Sequence, residues 1–300
     1  MRVFITGASG FIGLAVTKEL VQNGHSVLGL ARSEASAQLI KEAGGQTHSG
    51  SLTDLESLKS GASSCDAVIH LGFVHDFTNF EESCKIDAVA IDTIGAALEG
   101  TQKPFIISSG VGLFGVDREV TEDDAPPPVS PHYPRASEHK AQELFKRGIN
   151  ASVVRLPQVH DREKQGLITF LVAIAQQKGT AAYLGDGSNH YPAVHVSDCA
   201  RLYRLALEKH RAGARYHAIA ENGVRLKDIT ETFGRSLNLP VVSVPKDKAA
   251  DYFGWMIMFA GMDSRASSDK TRRELGWEPT GPDLLTDLRE LQVPELSNKS

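Results

Sequence analysis

The sequence lacks the features that would direct it to a membrane, to nucleic acid or to an oxidising compartment. No apolar run approaches the ~18 residues that cross a bilayer, and a net charge of −5 offers no basic surface for nucleic acid or anionic lipid. The three cysteines are odd in number and show no Cys-x-x-Cys spacing, which favours free thiols in a reducing compartment. The first residues, MRVFIT, already have the pattern of a strand, so we expect no signal peptide and a cytoplasmic protein.

A metal-ligand pattern is also missing, although the chain contains 11 histidines. No His-x-His, His-x-x-x-His or His-Glu-x-x-His pair with a carboxylate partner stands out, and zinc sites use such spacings. We therefore expect no metal. The expected partner is a small-molecule substrate.

What the chain does contain is a regular alternation of strand-like and helix-like segments. Short apolar runs rich in Val, Ile and Leu predict buried parallel strands at 3–6, 26–31, 67–71, 104–108 and 152–156. Helical patterns lie between them, including one that starts at Tyr133 and ends at Lys146. This alternation predicts an α/β fold, a Rossmann-type doubly wound parallel sheet with a smaller C-terminal substrate lobe. We assign residues 1–160, with 193–220 returning, to the nucleotide-binding domain, and 161–192 with 221–300 to the lobe.

The strongest motif is TGASGFIG at residues 6–13, which follows the first strand and opens the first helix. Gly7 permits a tight turn, Gly10 lets the backbone approach a pyrophosphate, and Gly13 allows close packing of helix on strand. The start of the helix supplies amide donors and partial positive charge. The motif therefore predicts a dinucleotide site.

The end of the second strand indicates which dinucleotide. Folds of this type place an acid there to hold the ribose 2′-hydroxyl, but the sequence is Ala31-Arg32-Ser33 and its first acid is Glu34. A guanidinium and a hydroxyl suit a 2′-phosphate, through charge-assisted hydrogen bonds. We expect NADP in preference to NAD.

At this point the residues resemble the short-chain dehydrogenase/reductase superfamily, in its extended, epimerase-like branch. The segments that carry the resemblance are TGxxGxxG, VIHLG (68–72), IISSGVGLFG (106–115), VVRLPQVHD (153–161), GDGSNHYPAVHVSDCAR (185–201) and RRELGWEPT (272–280). The resemblance implies oxidoreductase chemistry, a substrate lobe and often a homodimer built on the helix after Tyr133. It implies that the cofactor is held by Gly7, Ser9, Gly10, Phe11, Ile12, Gly13, Arg32, Ser33, Ser51, Leu52, Leu71, Gly72, Phe73, Ser108, Pro157 and Val159.

The sequence departs from this family where the chemistry takes place. The family uses Ser or Thr with Tyr-x-x-x-Lys, in which the lysine lowers a tyrosine pKa that is otherwise near ~10. Here the usual serine position is Gly110, which leaves Ser109 as the nearest hydroxyl. Aligning on Glu143-Leu144 places Arg135 and His139 at the Tyr and Lys sites.

Two other alignments remain open. Matching Ser137-Glu138 gives Pro134 and Glu138, and starting from the tyrosine itself gives Tyr133 and Ser137. No alignment restores Tyr-x-x-x-Lys, so the chain resembles the atypical members that keep the cofactor turn and lose the catalytic set. Our catalytic candidates are Ser109, Tyr133, Arg135 and His139, the last two on one helix face.

The substrate cleft is expected to contain four residues, chosen by homologous position: His75, His160, His190 and Tyr191. Hydride transfer needs a positioned nicotinamide and a stabilised oxyanion, so a site without the usual tyrosine is chemically feasible. We expect an NADP(H)-dependent oxidoreductase that acts on a small carbonyl or alcohol. The alternatives are a sugar-nucleotide epimerase or dehydratase, and a non-catalytic protein that senses NADPH.

Overall fold

The computed structural model describes residues 1–111, 118–131 and 133–292 of the chain. The strands are β1 (Arg2–Thr6), β2 (Ser26–Ala31), β3 (Gln46–Ser49), β4 (Ala67–His70), β5 (Phe105–Gly110), β6 (Ala151–Leu156), β7 (Gln158–His160), β8 (Ala181–Leu184), β9 (His190–His195), β10 (Arg215–His217), β11 (Glu221–Arg225) and β12 (Val241–Val244). The helices are α1 (Phe11–Gln22), α2 (Glu34–Glu42), α3 (Leu55–Ser63), α4 (Phe80–Ala97), α5 (Ser137–Lys146), α6 (Ile168–Lys178), α7 (Val196–Glu208), α8 (Leu226–Ser236), α9 (Ala249–Phe253), α10 (Ile257–Ala260), α11 (Asp269–Leu275) and α12 (Leu284–Arg289).

A parallel sheet in the order β10-β6-β5-β4-β1-β2-β3 forms the centre of the protein. Its inner strands are buried on both faces, because helices cover the sheet from either side, and this explains the continuous apolar runs in the sequence. The strand order reverses beside β1, where a doubly wound sheet opens a crevice at the carboxyl ends of its strands. The predicted α/β Rossmann fold is confirmed.

One strand of the central sheet was not predicted from the sequence. Strand β3 has the sequence QTHS, lies at the edge of the sheet and is only partly buried. An edge strand that packs on one side needs few apolar residues, so it carries no hydrophobic signal. The strands at 26–31 and 152–156 were located to within one residue.

A second apolar core lies among α6, α8, α10 and α12, with the short parallel pair β8 and β12 beside it. Helix α7 returns to the main sheet, where it packs on α1. This second core fits the proposed substrate lobe, but Leu275 at the end of α11 and Trp277 pack instead in the core of the main sheet.

The helix near Tyr133 begins later than its sequence pattern indicated. Helix α5 starts at Ser137, because Tyr133 and Ser130 exchange backbone hydrogen bonds of 2.9 and 3.0 Å in a turn. Pro134 also favours an extended conformation for the residue before it. The prediction that Arg135 and His139 share one helix face is therefore wrong, since Arg135 precedes the helix.

Among the described residues, no helix is both long enough and apolar enough to cross a membrane. In the same parts of the chain, no group of three or more His, Cys, Asp or Glu side chains is arranged to hold a metal ion.

Candidate functional site

The glycine-rich turn between β1 and α1 depends on its missing side chains. Gly7 has a φ of +70°, and a Cβ on it would lie 2.7 Å from the backbone nitrogen of Gly72. A Cβ on Gly13 would lie 2.0 Å from the carbonyl oxygen of Gly7. Glycine is therefore required at both positions, as the sequence motif predicted.

This turn presents unpaired amide groups. Gly10 is the N-cap of α1 and offers no side chain to it, and the first backbone bond of the helix runs from Leu14 N to Gly10 O at 2.9 Å. The amides of Phe11, Ile12 and Gly13 therefore lie outside the helical ladder. Together with the helix dipole, these amides fit the pyrophosphate of a dinucleotide.

A cavity of about 600 Å³ extends from this turn along the carboxyl ends of the strands toward the lobe. It is lined by many of the residues that the sequence indicated, namely Gly7, Gly10, Phe11, Ile12, Gly13, Leu71, Phe73, His75, Ser108, Ser109, Tyr133, Arg135, Pro157 and Val159. Cofactor-type residues and catalytic candidates therefore meet in one continuous space. Their individual roles remain predictions.

Other cofactor candidates lie outside the lining of the cavity: Ser9, Arg32, Ser33, Ser51, Leu52 and Gly72. Ser33 caps α2 by accepting a hydrogen bond from Ser36 N at 3.2 Å. Arg32 follows β2, is exposed, and makes no ion pair or side-chain hydrogen bond with any described residue. Its guanidinium is therefore free for an anionic ligand.

Arg135 enters the cavity from the segment before α5. Its guanidinium carbon lies 4.7 Å from the centre of the Phe73 ring, and its Nε donates to Ser137 Oγ at 2.9 Å. A longer contact of 3.4 Å joins Nη2 to the carbonyl oxygen of Ser108. The stacked ring and the two acceptors hold a permanent positive charge at the wall of the cavity.

Behind Arg135 lies a buried hydrogen-bond chain. Ser137 Oγ donates to Asp87 Oδ2 at 2.6 Å, and His70 Nε2 lies 3.1 Å from Asp87 Oδ1. His70 Nδ1 in turn lies 2.7 Å from Thr6 Oγ1, which accepts from Gly72 N at 3.1 Å. Because the Asp87 carboxylate can only accept, we infer that His70 carries a proton on Nε2, which lets the Thr6 hydroxyl donate to Nδ1.

The same hydrogen bonds keep Asp87 ionised. Burial alone would raise the pKa of Asp87, but hydrogen bonds from His70 and Ser137 and the charge of Arg135 keep that pKa below its usual range. The carboxylate therefore balances the guanidinium from inside the protein. No sequence motif had linked these residues, because the partners are 17 and 50 positions apart.

Tyr133 and His75 have pKa values moved in opposite directions. Burial raises the pKa of Tyr133, and the nearby Arg135 guanidinium opposes that rise only in part. Burial and the charge of Arg135 lower the pKa of His75. Both side chains are therefore neutral at neutral pH, so the phenol is a hydrogen-bond donor and not a base.

The two serines at the end of β5 have different surroundings. Ser108 Oγ donates to the carbonyl oxygen of His70 at 2.7 Å and pairs with the Tyr203 hydroxyl at 2.7 Å. Both of its hydrogen-bond partners are therefore buried groups of the protein. Ser109 lines the cavity and makes no side-chain hydrogen bond with a described residue. Ser109 is thus the serine that is free to bind a ligand.

The remaining sequence candidates are not in the lining of the cavity. His139 Nε2 contacts the carbonyl oxygen of Pro127 at 2.8 Å, which ties the proline-rich segment to α5. His160 is fully buried against Asp287 at 2.7 Å, His190 pairs with Asp263 at 3.1 Å, and the buried Tyr191 hydroxyl donates to Phe259 O. These side chains already have structural partners within the protein.

Sequence reasoning also missed part of the cavity. Its lobe end is lined by aromatic rings, which are Phe77, Phe80, Phe170 and Phe259, and its turn end by Lys164 and Gln158. The amine of Lys164 lies 5.9 Å from the centre of the Phe11 ring. Phe259 belongs to an apolar stretch that the sequence already indicated as core or cleft wall, whereas Phe77, Phe80 and Phe170 were not predicted, because their segments meet only in the folded protein.

Comparison with known proteins decides the family. The model of the NAD dependent epimerase/dehydratase family matches residues 3–220. The chain belongs to this family. It is 43% identical over 292 residues to an uncharacterized protein of Saccharomyces cerevisiae, covering 96% of this chain and 98% of that protein.

A second relative and a solved structure extend the comparison. The sterol-4-alpha-carboxylate 3-dehydrogenase, decarboxylating, of Dictyostelium discoideum is 30% identical over 225 residues, covering 69% of this chain and 68% of that protein. The UDP-glucuronic acid 4-epimerase of Bacillus cereus, solved with UDP-glucuronic acid and NAD, superposes with a TM-score of 0.76 at 19% identity and covers 97% of each chain. Members of the family thus include dehydrogenases and epimerases.

Proposed function

We propose that this protein is an NADP(H)-dependent oxidoreductase that acts on a small carbonyl or alcohol. One observation carries the proposal. A single cavity connects the free amides at the start of α1 to three hydrogen-bond donors, Ser109, Tyr133 and Arg135, at the end of β5 and before α5. The first group suits a dinucleotide and the second suits the oxygen of a carbonyl.

The bound dinucleotide would supply the hydride. Arg135 holds a fixed positive charge near the substrate oxygen, where negative charge develops during reduction. Tyr133 donates the proton, since its raised pKa keeps the phenol protonated at neutral pH. Arg135 then stabilises the tyrosinate until solvent returns the proton. These roles favour reduction over oxidation, because among the described residues no group lowers the pKa of Tyr133 enough to make it a base.

The preference for NADP over NAD depends on Arg32. The structural relative from Bacillus cereus was solved with NAD, but here β2 is followed by an exposed arginine that has no ion-pair partner among the described residues. The neighbouring Glu34 lies 3.9 Å from Lys41, so that acid already faces a cation. A 2′-phosphate would give Arg32 an anionic partner, which the described part of the chain does not supply.

The epimerase or dehydratase alternative is supported by family membership. The site argues against this alternative, because those reactions require a base and the raised pKa of Tyr133 keeps its phenol protonated. The sensing alternative is supported by the missing Tyr-x-x-x-Lys. It is weakened by the aligned donors in the cavity.

The test combines binding with turnover. We expect NADPH to raise the melting temperature and to be oxidised in the presence of an aldehyde or ketone panel. Gly10→Ala is the matched control, since its methyl would come no closer than 3.1 Å to other protein atoms yet would face the pyrophosphate. It should retain the fold and lose cofactor binding.

Each other outcome has a defined meaning. NADPH binding without turnover of any carbonyl would favour the sensor, and conversion of UDP-glucose would favour the epimerase. Failure to bind either NADPH or NADH would overturn the proposal.

A homodimer and a cytoplasmic location remain predictions. Helices α4 and α5 pack side by side, and each presents an exposed apolar side chain, Val89 on α4 and Phe145 on α5. Such residues suit a helix-to-helix interface between two copies. Light scattering of wild type and Val89→Glu would test it. The three cysteines are buried free thiols, in keeping with a reducing compartment.

A further inference from the structure

We infer that the lobe end of the cavity is a binding site for the flat, uncharged, apolar body of an aromatic carbonyl compound, and not for a nucleotide sugar. This inference names the substrate class of the proposed oxidoreductase and rests on that proposal.

The end of the cavity is walled by aromatic rings in mutual contact. The centre of the Phe77 ring lies 5.7 Å from that of Phe170 and 5.8 Å from that of Phe259, both close to perpendicular. Phe80 lies 5.8 Å from Phe77, with the two ring planes 27° apart. These rings come from three segments of the chain, yet all line one space. A planar apolar ligand can meet such a wall by edge-to-face and offset contacts.

Trp255 packs against the rings of this wall without lining the cavity itself. Trp255 stacks on Phe77 with ring centres 5.0 Å apart and planes 10° apart, and it meets Phe170 edge-on at 5.1 Å. The backbone that carries Phe77 is tied down by Asp76, whose Oδ1 accepts from the Thr78 amide at 3.0 Å and the Thr78 hydroxyl at 2.6 Å. The rings are therefore positioned before a ligand arrives, which lowers the entropic cost of binding.

A series of ring contacts connects the aromatic wall to Arg135. His75 lies edge-on to Phe77 at 6.1 Å and to Phe73 at 5.4 Å, and Phe73 carries the Arg135 guanidinium on its face at 4.7 Å. A ligand body against Phe77 thus has its polar end directed to Arg135. One molecule with an aromatic body and a carbonyl group matches both ends.

The distribution of charge argues against a nucleotide sugar. Over the described part of the chain, the cavity lining contains no carboxylate, and its cations are Arg135 and Lys164. Lys164 lies beside Phe11 at the start of α1, on the cofactor side. Arg135 lies on the face of Phe73, at the reacting end of the cavity. A diphosphate against the phenylalanine rings would lose its hydration without gaining a cation, which is costly.

In the reaction that we infer, the carbonyl carbon receives the hydride of NADPH and its oxygen receives the Tyr133 proton. The aldehyde or ketone is reduced to an alcohol, NADPH is oxidised to NADP⁺, and the tyrosine is reprotonated from solvent.

The test measures binding without turnover. Cinnamaldehyde is the aromatic probe, propanal the small aliphatic one and UDP-glucose the nucleotide sugar, each titrated with and without NADP⁺, which cannot reduce them. The chain has two tryptophans, and Trp277 is fully buried with its indole bonded to Asp198 O at 3.0 Å. Trp255 therefore reports on the wall, and Trp255→Phe should remove the signal while keeping the ring.

We expect cinnamaldehyde to quench this fluorescence and to bind at least about tenfold more tightly than propanal, as the loss of an aromatic contact of ~1.5 kcal/mol implies. Phe77→Ala should remove that preference, and Phe77→Leu, which is safer for folding, should reduce it. Met258→Ala is the control, since Met258 lies on α10 beside the wall, is exposed and does not line the cavity.

The outcomes separate this inference from the proposed function. Equal binding of the two aldehydes, tighter binding of UDP-glucose, or no effect of either Phe77 variant would overturn the aromatic site. NADPH-dependent reduction of propanal with no gain for cinnamaldehyde would leave the oxidoreductase standing and overturn the inference. Cinnamaldehyde binding with no NADPH oxidation by any carbonyl would leave the aromatic site standing and overturn the proposed function.

Discussion

Asp87 and Ser137 form a buried hydrogen bond of 2.6 Å between α4 and the first residue of α5. Ser137 accepts from Arg135 at the same time, so the position of the cavity's guanidinium is set from a carboxylate within the protein. The other oxygen of Asp87 reaches His70 and, through it, Thr6 at the start of the glycine-rich turn. One polar chain therefore joins the glycine-rich turn to the Arg135 guanidinium.

Asp87→Asn tests this chain. An amide in place of the carboxylate cannot accept from both His70 and Ser137 with equal strength, so Arg135 should lose its fixed position. We expect kcat for carbonyl reduction to fall about 10- to 100-fold, as for a lost charged hydrogen bond of ~1.5–3 kcal/mol, with a smaller change in the KM for NADPH. Steady-state kinetics and the melting temperature are measured together.

The control for this variant is Thr93→Val on the same helix, which removes only a bond to Val89 O. Ser137→Ala should reproduce the kcat effect, since it cuts the Arg135 branch and keeps His70. If Ser137→Ala were as active as wild type, Asp87 would matter to stability alone.

Tyr133 and Arg135 should contribute differently to reduction. Tyr133→Phe removes the proton donor and should lower kcat by about 10²–10⁴, whereas Arg135→Lys keeps the charge and should be less damaging than Arg135→Gln. Because the Tyr133 pKa is raised, the wild-type rate should stay level from about pH 7 to about pH 9. A full rate in Tyr133→Phe would assign the proton to another group.

Arg32 should select the cofactor. Arg32→Ala is expected to weaken NADPH binding about 10- to 100-fold and to leave NADH binding nearly unchanged, since only the 2′-phosphate contact is lost. Titration calorimetry measures both. Arg273→Ala removes another exposed arginine without an ion pair among the described residues and should change neither affinity. Equal losses for NADPH and NADH in Arg32→Ala would contradict the assignment.

His217 should make the fold sensitive to acid. Burial, followed by the charge of Arg155, lowers the pKa of His217 to about 4. Between that value and the ordinary ~6.5, the unfolded chain binds a proton that the folded chain does not, so stability falls as pH falls. From about pH 7 to about pH 5 the loss from this one group is ~2 kcal/mol in the free energy of unfolding.

Urea unfolding at several pH values measures this loss, and His217→Asn should show a smaller dependence on pH. Imidazole nitrogen shifts in the wild type provide a check that needs no variant. A His217 ring that becomes charged above about pH 6 would contradict the prediction.

The sequence predicted the glycine-rich turn of the site correctly, but not the positions of Arg135 and His139. The turn at residues 6–13 was located because its glycines follow a strand and open a helix, a local pattern that one segment contains. Arg135 was predicted to lie on a helix, but it precedes α5, because the turn at Ser130–Tyr133 places the start of that helix at Ser137. His139 was named with it and faces Pro127 instead.

The sequence by itself determined the parallel sheet, the phosphate-binding turn and the missing acid after β2, because each depends on residues close together in the chain. Only the tertiary structure decided which donors enter the cavity, how Asp87 holds Arg135, and that aromatic rings close the lobe end. Those features depend on contacts between segments dozens of residues apart, such as Phe77 with Phe170 and Trp255. Side-chain packing selects such partners, and no spacing within a single segment records them.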